Sequence, residues 1–258
     1  MYKCYKFDSN NKLDTVLYEI MSYEYSKNRI DDISKILKEC CYYDEYFEDF
    51  VLDADALERV SFPNEKFHIF ISHSHDDLNL ARGLSVYLSK KCNVSCFVDS
   101  DYWLSCDKIL KYIDNLYCKN TKTNTYSYEK RNLTTSHLHI MLNSAIAKMI
   151  NSCECFIFID TENSVQEYRS GDGTLSPWIM SEILLSKLLK KPLPKSRKRT
   201  AKEHFVEVHA MDSAINIVHM VDLSHMTRIN SSTITKWIRD VGQAKGEKSL
   251  DILYSIIS

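Results

Sequence analysis

The feature that most restricts the fold is an alternation, after Pro63, of short apolar runs with longer amphipathic segments. The apolar runs are FHIFIS, VSCFVD, CFIFID, HFVEV and INIVHMV, and the segments between them include LARGLSVYLSKK and IMSEILLSKLL. This alternation is typical of parallel strands in one sheet with helices on both faces. FIFI within CFIFID is apolar throughout, as expected of a central strand buried on both sides. The sequence therefore predicts an α/β fold.

The carboxyl ends of the predicted strands indicate where a ligand would bind. In open parallel sheets, ligands bind in the crevice beyond these ends. The ends fall at Ser72 and His73, at Asp99, and at Asp160 and Thr161. The three loops that begin there form the predicted binding region.

The first 64 residues are predicted to form a small helical region, because apolar residues recur there at helical spacing. They are Leu13, Val16, Leu17, Ile20 and Met21, followed by Ile30, Ile33, Leu37 and Cys40. Residues 65–258 then form the α/β domain. The polar stretch at about 115–136 has little periodicity, which predicts an inserted surface loop.

Composition argues against several classes of partner. The formal net charge of -2 and the pI near 6.5 give no overall positive field for nucleic acid or an anionic membrane surface. The one dense basic run, KKPLPKSRKRTAK, is interpreted as an exposed loop, since no aromatic residues are interleaved for base stacking. No run approaches the ~20 apolar residues of a membrane span. Neither nucleic acid nor membrane is expected as a partner.

Cysteine and glycine usage adds two expectations. Nine cysteines without a Cys-x-x-Cys, behind a start that lacks an apolar signal segment, suggest free thiols in a reducing cytosol, and hence a cytoplasmic protein. Only five glycines are present, and none forms a Gly-x-Gly-x-x-Gly or Walker loop. A nucleotide, if bound, must be held in another way.

The stretch FISHSHDD contains His73, His75 and Asp77, which match part of the ligand set of two-metal hydrolases. Leu78 stands where such a loop would need a further histidine, and His pairs at this spacing recur by chance. The favoured interpretation is structural: Ser74 and Asp77 fit a capping box at the start of a helix. No metal is therefore expected.

A second polar constellation lies in SPWIMSEILLSKLLKK. Ser176 fits a helix N-cap and Pro177 the first helical position. Trp178 and Glu182 are four residues apart, which places an indole and a carboxylate on one face of the helix after CFIFID. Ser186, at the next i+4 position, offers no ion pair to Glu182. A packed Trp and a solvated Glu would be the structural alternative.

FHIFISHSHDD, VSCFVD, CFIFID and SPWIMSEIL, in this order, resemble the Toll/interleukin-1 receptor (TIR) domain, from about Lys66 to the helix containing Trp237. The resemblance implies a flavodoxin-like domain with a five-strand parallel sheet. The Trp-x-x-x-Glu motif resembles the NAD-cleaving branch, so Glu182 is the implied catalytic residue. Trp178, together with the loop residues Ser72, His73 and Ser74, is implied to bind the substrate.

The loop after the second strand departs from the family pattern. It reads DSDYWLSCDK and has neither the Gly nor the Pro that is frequent there. Asp99, Tyr102 and Trp103 are kept as candidate substrate-binding residues, with the two aromatics either stacking on a base or packing the loop.

The implied activity is cleavage of the nicotinamide–ribose bond of NAD, which is a substrate here, so no cofactor is expected. The product could be ADP-ribose, a cyclic isomer or a conjugate. TIR enzymes build their site by association of neighbouring domains, which implies self-association on activation, a setting in bacterial antiphage defence and an effector that senses the product. The alternatives are a non-catalytic TIR adaptor and an enzyme resembling nucleoside deoxyribosyltransferases.

Overall fold

The computed structural model describes residues 1–8, 15–23, 33–46, 48–61, 65–101, 106–120, 122–192 and 218–257. The chain divides into two compact units. The first comprises Met1–Ser26, Lys66–Val98 and Met149–Ser258, and the second comprises Lys27–Glu65 and Asp99–Lys148. No helix among the described residues has the length and apolar character needed to cross a membrane.

The helices and strands are numbered in chain order. The described strands are β1 (Lys3–Asp8), β2 (Cys41–Asp44), β3 (Asp49–Leu52), β4 (Ile69–Ser72), β5 (Cys96–Val98), β6 (Lys119–Asn120), β7 (Thr125–Tyr126), β8 (Cys155–Asp160), β9 (Gln166–Tyr168), β10 (Gly171–Thr174), β11 (His219–Met220) and β12 (Thr227–Ile229). The described α-helices are α1 (Thr15–Met21), α2 (Ile33–Cys40), α3 (Ala54–Ser61), α4 (Leu78–Cys92), α5 (Cys106–Ile113), α6 (Tyr128–Ser152), α7 (Pro177–Leu188), α8 (Ser231–Val241) and α9 (Glu247–Ile257).

The first unit is built on a five-strand parallel sheet in the order β5-β4-β8-β1-β12. Its central strand β8 is the predicted CFIFID run, and five of its six residues are buried. Ile157 lies opposite Ile71 on one side and Tyr5 on the other. The predicted flavodoxin-like α/β fold with five parallel strands is thus confirmed.

The identity of two strands in this sheet differs from the sequence-based prediction. The fourth position is taken by β1, from a segment that the helical interpretation of residues 1–64 did not include as a strand. Its two lysines interrupt the alternation of apolar residues. The backbone of β1 pairs with β8 and β12, and Tyr5 and Phe7 are buried in the core on a face of the sheet. The INIVHMV run contributes β11, which pairs antiparallel with β10, and HFVEV lies outside the described residues.

One face of the sheet is covered by helices of the same unit. Ile69, Ile71 and Ile159 join a core with apolar residues of α1, α4, α8 and α9. α1 and α4 approach closely at Gly83, where an added Cβ would lie 2.3 Å from the carbonyl oxygen of Ile20. Only glycine permits this approach, which the amphipathic pattern of the two helices did not reveal.

The second unit contains α2, α3, α5, the hairpins β2–β3 and β6–β7, and α6 as far as Lys148. α1, α2 and α3 lie within the first 64 residues, where helical spacing is found, but this part of the chain also contains β1, β2 and β3 and is divided between the two units, so it is not the separate helical region predicted.

The predicted loop at 115–136 is only partly a loop. It contains the end of a π-helical turn (Asp114–Cys118) and the β6–β7 hairpin, but Tyr128 begins the 25-residue α6. The first turns of α6 are largely exposed, so they show no apolar stripe for a periodicity argument to detect. Arg131 Nε contacts Asp114 Oδ2 at 2.7 Å and ties this exposed part of the helix to the turn before it.

Candidate functional site

The carboxyl end of β4 and the helix α7 meet in a hydrogen bond between two predicted site residues. Ser72 Oγ donates to Glu182 Oε2 at 2.6 Å, although the two residues are 110 positions apart. Glu182 is 1% exposed and Ser72 is fully buried. A buried carboxylate is costly unless hydrogen bonds compensate for its lost hydration, and Ser72 supplies such a bond.

The start of α7 is formed as the sequence predicts. Ser176 is the N-cap, and its Oγ accepts a hydrogen bond from the N–H of Ile179 at 3.2 Å. Pro177 occupies the first turn, where its missing N–H costs nothing. Because the helix begins at Pro177, its second turn carries Glu182 to the end of β4.

Asp77 connects the loop after β4 to the loop after β8. Its Oδ2 accepts a hydrogen bond from Thr161 Oγ1 at 2.5 Å, and its Oδ1 accepts one from Asn163 Nδ2 at 2.9 Å. Asp77 is 8% exposed. The carboxylate therefore holds together two of the three loops in which ligand binding was predicted.

These bonds replace the predicted capping box, which is wrong. Ser74 precedes a short 3-10 helix (His75–Asp77), and its side chain makes no capping hydrogen bond. Nor does Asp77, which stands at the N-cap of α4, cap with its side chain. Both carboxylate oxygens of Asp77 accept hydrogen bonds from the loop after β8. That loop is distant in sequence, so a local motif cannot predict these contacts.

A cavity of about 300 Å³ opens beside these loops. Its walls come from the segment after β4, the segment after β8, the β9–β10 hairpin and the first turn of α7. The residues that line it are Ser74, His75, Asp76, Asn163, Ser164, Gln166, Tyr168, Gly173, Thr174, Leu175, Ser176 and Ile179. A cavity with polar groups at the carboxyl ends of parallel strands is the arrangement expected of a ligand site in this class of fold.

Two of the predicted loop residues are buried at this end of the sheet. His73 and Ser74 are each 6% exposed. Ser74 lines the cavity, and its Oγ has no hydrogen-bond partner among the described residues. A buried hydroxyl without a partner is unusual in a native structure and is a candidate contact for a ligand.

Two other predicted residues of the first unit do not line this cavity. Glu182 and the half-buried Trp178 do not belong to its lining, although Ile179, between them on α7, does. Asp99 follows β5 directly and belongs to the second unit. Tyr102 and Trp103 lie outside the described residues.

Sequence reasoning missed Asn163, Gln166 and Tyr168, which form much of the polar wall. Ligands bind beyond the carboxyl ends of parallel strands, so Thr161, which directly follows β8, indicated this loop. That principle does not predict how many residues after the strand line the cavity. Gly173 also belongs to the wall. A Cβ at Gly173 would lie 2.7 Å from Val218 Cγ1 and 2.9 Å from Tyr168 Cδ2, so the hairpin needs glycine to keep Tyr168 in place.

A second polar cluster lies one turn farther along α7. Ser186, which is fully buried, shares a hydrogen bond of 2.8 Å with His225 Nε2 and also donates to the carbonyl of Ile183. Burial lowers the pKa of His225 to about 4, assisted by the positive charge of Lys190. The imidazole is therefore neutral at pH 7, and this pair contributes no charge near Glu182.

In the described part of the chain, no group of three or more His, Cys, Asp or Glu side chains is suited to hold a metal ion. Of the His73, His75 and Asp77 set, Asp77 already accepts two hydrogen bonds from protein side chains.

Comparison with known proteins adds no relative: no protein-family model, no curated protein and no solved structure matches this chain.

Proposed function

We propose that this protein is a TIR-like enzyme that cleaves the nicotinamide–ribose bond of NAD, with Glu182 as the catalytic carboxylate. The observation that carries the proposal is the hydrogen bond from Ser72 to the buried Glu182, at the carboxyl end of a parallel sheet and on a helix whose first turn lines a cavity. Two residues that the TIR resemblance marks independently are thereby in direct contact.

The chemistry needs little more than one carboxylate. Loss of nicotinamide develops positive charge on the ribose, as in glycoside hydrolysis. The leaving group is already cationic, so its departure with the bonding electrons produces a neutral molecule and needs no general acid. A carboxylate near the ribose stabilises the developing charge, most effectively where water is excluded. Glu182 is suited to this role because its surroundings are already dry.

Burial of Glu182 also bears on regulation. At 1% exposure the carboxylate does not reach the cavity surface, so catalysis requires a rearrangement around α7. Self-association of TIR domains would supply this step, and low activity of the isolated chain is the expected resting behaviour. The biological setting we propose is antiphage defence in bacteria, in which an effector senses the nucleotide product.

Nicotinamide release from NAD tests the proposal, with concentrated protein in the presence and absence of a crowding agent. Glu182→Gln keeps the size of the side chain and an acceptor for Ser72 but removes the charge. We expect it to lower the rate at least about 100-fold, the usual order for loss of an electrostatic stabiliser in the transition state.

Glu154→Gln is the matched control. Glu154 is also a buried glutamate of the first unit and accepts a hydroxyl hydrogen bond, from Tyr254, but it lies at the opposite end of β8. We expect its rate to stay within about twofold of the wild-type rate. Equal release by wild type and Glu182→Gln would remove Glu182 from the mechanism. No release under any condition would favour the non-catalytic adaptor.

A further inference from the structure

The charge of the cavity lining restricts the ligand that it can hold. Asp76 supplies a carboxylate, while Asn163, Gln166 and Tyr168 supply amide and phenol groups. Among the described lining residues there is neither lysine nor arginine, and His75 is the one basic side chain. Proteins hold phosphate with these cations or with backbone N–H groups. The lining therefore favours a neutral or cationic ligand.

Three of the four residues in the first turn of α7 offer no N–H group to an anion. A helix N-terminus can bind phosphate through its unused N–H groups. Here Pro177 has none, the N–H of Ile179 donates to Ser176 Oγ, and the N–H of Met180 donates to the Ser176 carbonyl. These three positions leave no donor for an anion.

The volume of the cavity also favours a ligand smaller than a dinucleotide. Its volume of about 300 Å³ is at the lower end of the roughly 300–1,000 Å³ typical of small-molecule sites. Such a space suits one nucleoside and is small for a dinucleotide.

The polar wall is arranged for a ligand with hydrogen-bond donors. Asn163 Nδ2 is used by Asp77, which leaves Asn163 Oδ1 as an acceptor. Gln166 is held by its Nε2, which donates to the carbonyl of Glu162, and by its Oε1, which accepts from the Tyr168 hydroxyl. A carboxamide and ribose hydroxyls provide the complementary donors.

We infer that the cavity selects a phosphate-free nucleoside, so that the protein hydrolyses nicotinamide riboside without needing the ADP portion of NAD. This inference rests on the proposed function. In the reaction, the bond from C1′ to the pyridinium nitrogen breaks and its electron pair neutralises the ring. A water oxygen then bonds to C1′ and loses one proton, so that the products are ribose, nicotinamide and a proton.

A comparison of three substrates tests the inference: NAD, nicotinamide riboside and nicotinamide mononucleotide, which adds one phosphate to the riboside. We expect kcat/KM for the riboside to be about tenfold above the values for the mononucleotide and for NAD, because both carry phosphate on the ribose and the described lining residues include neither lysine nor arginine. A value for the riboside at least tenfold below that for NAD would overturn the inference.

A charge added to the cavity gives a sharper test. Gln166 is exposed, so Gln166→Lys places a cation in the wall without burying it. We expect the preference for riboside over mononucleotide to fall about tenfold. Gln243→Lys makes the same change at an exposed glutamine between α8 and α9, away from the cavity lining, and should leave the preference unchanged. An unchanged preference in Gln166→Lys would contradict the assignment.

Calorimetry separates failure of the inference from failure of the proposed function. Nicotinamide release from NAD, but from neither of the other two substrates, overturns the inference and leaves the proposed function intact. If none of the three substrates is cleaved but wild-type protein binds nicotinamide riboside more tightly than the mononucleotide, the proposed reaction is overturned and the ligand class is supported. Absence of both cleavage and binding overturns both.

Discussion

Two buried glutamates of the first unit stand near opposite ends of β8, and their surroundings differ. Glu182, on α7, accepts a hydrogen bond from Ser72 at 2.6 Å near the carboxyl ends of the strands. Glu154, directly before β8, accepts one from the Tyr254 hydroxyl at 3.3 Å. The same residue type is thus buried in two places, and the difference lies in what surrounds each one.

The carboxyl ends are polar and border a cavity, whereas the amino ends include buried thiols. Ser72, His73, Ser74 and Asp77 are all buried at the carboxyl ends. At the amino end of β8, burial raises the pKa of the Cys153 thiol to about 12, well above its usual range. Buried polar groups are costly, so their concentration at one end of the sheet is the pattern expected where function opposes stability.

The largest stability effect should come from removing the carboxylate that joins two loops of the polar end. Asp77→Ala leaves Thr161 and Asn163 without their acceptor, and we expect the free energy of unfolding to fall by about 2–3 kcal/mol. Urea denaturation measures the loss, and hydrogen exchange should be faster in the loop from Thr161 to Gln166.

Glu154→Gln serves as the comparison at the amino end and should cost less than about 1 kcal/mol without changing exchange in that loop. Similar losses in both variants would show that the two ends do not differ energetically.

A smaller effect is expected from two buried serines. Ser72→Ala removes the donor to Glu182, and we expect a loss of about 1–2 kcal/mol and a slower release of nicotinamide. Ser249→Ala removes a donor to the carbonyl of Cys92 at 2.6 Å and should cost a similar amount of stability without changing activity. A parallel loss of activity in both variants would mean that Ser72 acts only through stability.

The smallest effects should be seen on changing pH, with opposite signs for two groups. The pKa of His225 is lowered to about 4 in the folded chain, so protonation favours the unfolded state. Its contribution to stability is present above about pH 6.5 and is lost as the pH falls toward 4. His225→Gln should flatten the dependence of the unfolding free energy on pH in this range.

The Cys153 thiol gives the opposite sign. Its pKa is raised by burial, so ionisation favours the unfolded state, and stability is lost as the pH rises above about 9. Cys153→Ala should reduce this alkaline loss. If His225→Gln changed the stability mainly at alkaline pH, or Cys153→Ala mainly at acidic pH, the environment assigned to that residue would be wrong.

Local sequence signals predicted the elements with strong patterns. The apolar runs at β4, β5 and β8 and the Ser176–Pro177 start of α7 formed as expected, because a buried strand and a helix cap depend on adjacent residues. The strand β1 was missed because its lysines interrupt the alternation of apolar residues. The start of α6 was missed because its exposed turns have no apolar stripe. The capping box failed because Asp77 binds residues more than eighty positions away.

The sequence by itself determined that a parallel sheet forms and that Ser72, Thr161 and Glu182 fall near its carboxyl ends, since residue types and spacing specify the elements. Only the tertiary structure decided that Ser72 binds Glu182, that Asp77 joins two loops, and that the cavity wall comes from the hairpin beyond β8. Those contacts depend on the distances between elements, and the packing of the whole unit sets these distances.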